Sequence, residues 1–569
     1  MQHRTVAVIA VAGALALTAG ACGSSAKGSS SPATAASSQA GSSSAPATTS
    51  STSGAKLTVD VESNTLAGPI TPGFNPFLGS AQDAYGLGAT SMIYEPLLQF
   101  NILKPGVTHP WLATAATWSN GGRTLTFTLR NGVKWSDGTP FTSADVLYTF
   151  ETIKAKTALN LNGISFTSVT APSPTQVVMD FSAPAYAQFY AIAGQTLIVA
   201  KAKWASVTDP TTYANSDPIG TGPYVLKSLT SAAITLVANP KYWQAGKPSI
   251  GTLVFPDFES NTSAASALQG GQLTWGGNFI SHIQQIFANR PDHVFYSPPN
   301  NTVALFPSLA TWPTNNLAVR QAISLAIDRP QVASEGEEGD EAPATSATGL
   351  ILPNDQSYVT TKTNTLPFDT GQAATILKNA GFTLKNKVWT SASGQAVKIN
   401  LEDPASYSDY MASDQAIAQQ LTSFGIKTTV DGVSVNAWNA DLSSGKFQMT
   451  LHWGQTAATP YGQYDNWLDP ALIGTATGNF ERFDSAPATA ALKAYASAGS
   501  AAEDAADVKA LGAIVASQLP IIPVMYGAAW GEYNSSKVTG FPNATDPYDP
   551  AQPSAPWDEY VALQLRPAG

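Results

Sequence analysis

The run from Thr124 to Ile153 constrains this chain more than any other stretch. Thr124 to Leu129 alternates strictly, with Leu125, Phe127 and Leu129 on one face and threonines on the other. That is the pattern of a strand buried on one side. Asn131-Gly132 is a hairpin signal, so Val133-Lys134-Trp135 is expected to return along the strand, and Ser136-Asp137-Gly138 to turn again. Thr142 stands three residues before Asp145, a capped helix start. Val146, Leu147, Phe150 and Ile153 then share one helical face.

The same reading extends along the chain. Leu57 to Val61 alternates as a first strand, and a helix is expected through Met92 to Leu98. Gly220-Thr221-Gly222-Pro223 is a tight turn feeding strand residues Tyr224, Leu226, Ile234 and Leu236. Val319, Ala322, Ile323 and Ala326 fall on one helical face, and Arg320 and Arg329 are expected to pair with neighbouring carboxylates.

The first residues bear on location. His3 and Arg4 precede the apolar run Thr5 to Ala19, and Gly20-Ala21 offers a small-residue cleavage site. Residues 1–21 therefore read as a secretory signal. Cys22 follows directly and is the single cysteine of the chain. The arrangement resembles the lipobox of bacterial lipoproteins, in which the cysteine is acylated and becomes the new N-terminus. Ala19 stands where that motif usually has Leu. Gly23 to Ala55 is Ser, Ala, Thr and Gly with Lys27 as its one charge, too polar to offset chain entropy. Residues 22–55 read as a lipid-anchored flexible tether.

About 510 residues remain, more than one core normally holds. Charged residues are 12%, about half the usual share. The net charge of −10 and the lack of a basic run make a poor nucleic-acid binder. All 13 tryptophans lie beyond residue 110.

A family resemblance rests on blocks in order: YEPLLQFN, PWLATAATWS, the run TLTFTLRNGVKWSDGTPFTSADVLYTFE, Pro218 to Tyr224, Asn239 to Trp243 and Val319 to Arg329. Fainter blocks are Ala373 to Phe382 and Leu519 to Pro523. Together they resemble the bacterial extracellular solute-binding proteins of family 5, receptors of dipeptide-, oligopeptide- and nickel-type ABC importers. The resemblance implies an α/β, two-lobed clamshell with a subdomain inserted in the first lobe. Lobe one would take residues 56–85, 218–307 and 528–569. The insertion would be 86–217, and lobe two 308–527. Crossings near Pro307 and Tyr526 would be hinges. The implied partners are a small solute, an ABC permease with its ATPase subunits, and the membrane through the lipid anchor. The implied state is a monomer without a cofactor.

Trp453 to Trp467, WGQTAATPYGQYDNW, combines aromatics with amides and is punctuated by Gly454, Pro460 and Gly462, so it reads as an ordered loop. Trp453, Gln455, Tyr461, Tyr464 and Trp467 are the expected ligand contacts of lobe two, facing Asn75 and Trp275 of lobe one. In the family's peptide receptors an Asp of a segment resembling W-x-G-D-x-x-D-P holds the ligand's amino group. Gln455 stands near that position here, which removes a charge partner and weakens the case for ordinary peptides. Trp275 resembles the branch of the family that binds β-linked oligosaccharides. Peptide-type solutes rank first by family and oligosaccharides second by site chemistry.

No G-x-S-x-G, H-E-x-x-H or Walker A sequence occurs. His109, His282, His293 and His452 are scattered, so no metal site is expected. The acidic run Glu335 to Glu341 lacks a calcium-loop pattern and reads as a solvated loop. A secreted carbohydrate-active enzyme is the rival class. Asp465 and Asp469 could be its carboxylates, but nothing in the sequence places them across a substrate. The chain is therefore read as a non-enzyme.

Overall fold

The computed structural model describes residues 53–60, 69–360 and 365–568. The signal, Cys22 and nearly all of the tether lie outside them, as does Val61 of the expected first strand.

Three main sheets organise the chain. A seven-stranded sheet runs His293–Phe295, Glu532–Asn534, Trp275–Gly276, Ser53–Asp60, Ile250–Pro256, Ala233–Ala238 and Tyr224–Leu229. A six-stranded sheet runs Ala342–Pro343, Ile522–Ala528, Pro299–Pro307, Met449–Trp453, Lys398–Pro404 and Lys427–Val433. A four-stranded sheet of Ala113–Ser119, Thr124–Leu129, Gln176–Asp180 and Ser168–Ser173 lies between the first and later strands of lobe one in sequence. Helices cover both large sheets, giving a two-lobed α/β clamshell.

The alternating run behaves as its pattern requires: Leu125, Phe127 and Leu129 are buried. Its partners differ from expectation. The strand pairs antiparallel with Ala113–Ser119 and Gln176–Asp180, and Val133–Trp135 does not return along it. Both hydrogen-bonding edges are already filled, so Asn131-Gly132 turns the chain away. Lys134 pairs only with Pro140, across the Ser136–Gly138 turn. Next comes the helix Ser143–Ala155. Its capping box is closed by the Thr142 N–H donating to Asp145 Oδ2 at 2.9 Å.

Met92 to Leu98 is not a helix; it is a turn leading into the strand Leu98–Phe100. Pro96 supplies no N–H and biases Glu95 towards extended backbone. The turn is gripped from outside. Gly222 N–H donates to the Ile93 carbonyl at 2.9 Å, and a Cβ on Gly220 would sit 1.8 Å from that same oxygen. The glycines of this block therefore permit a close backbone approach.

The helix Leu317–Ala326 buries Val319, Ala322, Ile323 and Ala326 as its spacing predicts. Its arginines do not meet carboxylates. Arg320 donates to the carbonyls of Leu519, Thr314 and Gln518, and Arg329 to those of Pro523 and Ser324. Each guanidinium spreads its donors over carbonyls from two separate segments, a use suited to five fixed donors.

The change from one large sheet to the other occurs at residues 296–298, not near Pro307, because Pro299–Pro307 already belongs to the second sheet. The return is at residues 529–531, just beyond Tyr526. The two crossings are paired: Tyr296 N–H donates to the Gly531 carbonyl, and Ala529 N–H to the Pro298 carbonyl, each at 2.8 Å.

Carboxyls are buried here without cations. Asp60 and Glu532 repel each other beside Asn278, Glu95 faces Glu559, and Asp403 faces Asp414. None of the ion pairs formed among the described residues touches them. Burial pushes Asp60 and Asp558 up to about 7 and Glu532 to about 8, and burial with mutual repulsion raises Glu559 and Asp403 well above the carboxylate range. The folded chain thus holds protons that the unfolded chain loses from about pH 4 upward. Stability is greatest below that range and falls as pH rises towards the folded values. Thermal unfolding should therefore show a Tm that falls from pH 4 towards pH 8, lower by several degrees at pH 8. Asp403→Asn should flatten that slope.

Candidate functional site

Between the two large sheets lies a cavity of about 330 Å3. The second sheet supplies Trp453 at the end of its strand Met449–Trp453. Val303 pairs with Trp453, and Gly454 N–H donates to the Thr302 carbonyl at 2.7 Å, so the chain leaves the sheet at the cavity edge. A Cβ on Gly454 would lie 2.9 Å from the Trp467 ring and 3.1 Å from the Thr302 oxygen, so only glycine allows this exit. Trp453 is half-buried and packs on Tyr407, Tyr410, Trp438 and His452 at centroid distances of 4.4–6.3 Å. Burial lowers His452 to about 4, so it is neutral, and its Nδ1–H donates to the Trp453 carbonyl at 2.6 Å.

The first lobe faces this wall with Gly277, Phe279 and Trp557, and the return crossing adds Trp530. Trp530 meets Phe279 edge-on at 5.6 Å and stacks on Phe295 at 5.9 Å. Asn300, Asn301 and Gln552 add amide groups to the walls. Aromatic faces with amide donors and acceptors are the surface of a small-molecule site. Two carboxylates, Glu341 and Asp409, complete it. Glu341 closes the acidic run that the sequence suggested was solvated. Instead, Glu337 and Glu341 turn inward and are buried, because the helix Arg329–Gly336 ends there and the chain enters the sheet at Ala342. Glu338 stays outside and accepts from His282 of lobe one, through its N–H at 2.7 Å and Nδ1 at 3.0 Å.

Residues 107–474 match the family model described as "Bacterial extracellular solute-binding proteins, family 5 Middle". The chain belongs to this family. Family 5 members are the solute-binding proteins of ABC importers, binding proteins rather than enzymes. The chain is 27% identical over 405 residues to the nickel-binding periplasmic protein of Escherichia coli (strain K12), an alignment covering 68% of this chain and 75% of that one. Among solved structures it is similar in fold to a periplasmic oligopeptide-binding protein of Thermotoga maritima with bound mannohexaose. That likeness has a TM-score of 0.82 at 24% identity, covering 90% of this chain and 99% of the other. The oligopeptide-binding protein AppA of Bacillus subtilis, solved with a nonapeptide, gives a TM-score of 0.75 at 18% identity, again over 90% and 99%.

In this family 5 chain the cavity gathers part of the expected set. Trp453 and Gln455 line it. The other five residues are held elsewhere. Asn75 is fully buried, donates to the carbonyls of Pro210 and Tyr213 at 2.8 Å each, and caps a short helix by accepting from Phe77 N–H. Trp275 sits in the core of lobe one, its Nε1–H donating to the Ala551 carbonyl at 2.6 Å. The two-residue strand Trp275–Gly276 holds the ring in that core, and the chain reaches the cavity only beyond the strand's end, at Gly277. Trp453 to Trp467 is not one loop. It is a strand end, a short loop and the helix Pro460–Leu468. That helix buries Gln463, Tyr464, Trp467 and Leu468, two adjacent pairs one turn apart. Tyr464 donates to the Thr348 carbonyl, and Tyr461 lies edge-on to Tyr495 at 5.1 Å. The helical spacing was present in the sequence but hidden among polar residues. Glu341, Trp530 and the adjacent pair Asp409-Tyr410 come from three separate segments, and no local pattern marks them. Among the described residues no group of three or more His, Cys, Asp or Glu side chains could hold a metal ion.

Two truncations separate the roles. Trp467→Ala should cost about 3–5 kcal/mol of folding stability, as for a core aromatic. Trp453→Ala should leave Tm nearly unchanged and weaken ligand binding about tenfold, or about 1.4 kcal/mol. Paired calorimetric melts and titrations check both.

Proposed function

We propose that this chain is the substrate receptor of an ABC importer on the outer face of the cytoplasmic membrane. It would capture a small solute between its lobes and present the closed form to a permease. The observation that carries this reading is the cavity walled by both sheets beside a paired double crossing, the geometry of hinge closure around a ligand. Contacts already span the lobes: Asn261 Nδ2 donates to Asp409 Oδ1 at 3.3 Å, and Glu338 holds His282. Ligand would then act by favouring the closed population, which the permease recognises.

Cys22 is proposed as the acylated anchor, with the polar tether spacing the receptor from the membrane. Trp453 and Gln455 are proposed ligand contacts. Peptides are the first solute class, supported by the family and by the nonapeptide complex of a protein of similar fold. Oligosaccharides are the second, supported by the aromatic wall and by the mannohexaose complex of another.

Scattering from the soluble part should show a smaller radius of gyration when a binding peptide or sugar is added, with no product formed on incubation. An unchanged radius or accumulating cleavage product would defeat the receptor reading. Cys22→Ala should move the protein from the salt-washed membrane fraction to the soluble fraction.

A further inference from the structure

The fixed charge on the cavity wall has one sign. Glu341 and Asp409 line it, and among the described residues no Lys, Arg or His does. Glu341 is 3% exposed and Asp409 8%. Glu341 Oε1 accepts the Ala528 N–H at 2.7 Å, while its buried Oε2 has no hydrogen-bond partner. Asp409 comes from the start of the helix Ser408–Phe424 and meets Asn261 from the opposite lobe. Tyr407, Tyr410 and Trp453 stand on the same wall and pack on one another. Carboxylates, an unmet acceptor and aromatic faces are therefore gathered at one end of one cavity.

We infer that the solute carries a cationic group, an ammonium or guanidinium, which docks against Glu341 and Asp409 beside the aromatic faces of Tyr410 and Trp453. The inference rests on the receptor reading and adds the charge of the ligand. A carboxylate oxygen removed from water without a donor is strongly penalised, and an N–H donor of opposite charge relieves this through a charge-assisted bond. Ring faces next to that position attract the same cation and repel an anion. Without a countercharge, burial and the neighbouring Asp409 and Asp340 lift Glu341 to about 8, and burial lifts Asp409 to about 6. Glu337 behind them adds a further acidic group and no cation. An incoming cation is the species that would draw both carboxyls into their charged form. Gln455 on the same wall is neutral, so the acidic recognition comes from a different part of the cavity than the sequence suggested.

Two matched pairs of probes test this by calorimetric titration of the full chain. One pair is trialanine and N-acetyl-trialanine; the other is the glucosamine trimer of chitosan and cellotriose. The amine-bearing member of at least one pair should bind tenfold or more tighter than its amine-free partner. Glu341→Gln and Asp409→Asn should each remove most of that difference with Tm little changed, because Gln and Asn keep the shape of the side chain and the amide of Glu341→Gln would leave no unmet carboxylate oxygen. The comparison between paired probes on the unmodified chain stands even where a variant folds poorly. Equal or tighter binding of the amine-free member in every pair that binds, unaffected by either substitution, overturns the inference and leaves the receptor reading intact. Binding of none of the four probes, with no compaction, overturns both.

Discussion

An antiparallel ribbon joins the two large sheets, and the site depends on it. Val294 pairs with Tyr533 in the first sheet, and Val303 with Met525 in the second. Between them the crossings bond to each other through Tyr296, Gly531, Pro298 and Ala529. The ribbon also carries Asn300, Asn301, Gly527, Ala528 and Trp530, so the floor of the cavity and the crossing are the same backbone.

The walls rise from that floor by the rules of strand and helix. Trp453 reaches the cavity because its strand pairs with the ribbon residue Val303, and Gly454 lets the chain leave at that level. Glu341 reaches it because the acidic segment ends beside the ribbon, where Ala528 N–H meets its carboxylate. Asp409 and Asn261 are brought face to face from helices on opposite lobes. Each group is set by a different element, and their meeting is a property of the two lobes together.

Low charge and buried carboxyls belong to one design. With 12% charged residues the chain has few cations to spend on internal ion pairs. Its buried arginines serve backbone carbonyls instead. Burial, which disfavours the charged form, therefore raises the pKa of carboxyls such as Asp403, Asp414 and Glu559, with hydroxyl and amide donors beside Asp403 and Glu559. The same physics leaves Glu341 waiting for a donor at the cavity wall.

By itself the sequence determined whatever depends on near neighbours. Alternation from Thr124 to Leu129, the Thr142–Asp145 cap and the apolar stripe from Val319 to Ala326 are local patterns, and the chain follows them. Ordered blocks across several hundred residues were enough to place the family. Strand partners, sheet crossings and cavity walls were decided by tertiary structure. Val133–Trp135 found no free strand edge, Trp275 was taken by a core, and the helix from Pro460 turned Tyr464 and Trp467 inward. An aromatic side chain suits a core and a binding wall equally well, because both bury apolar surface. Which of the two it joins depends on the element packed against it, and that element lies far away in the chain.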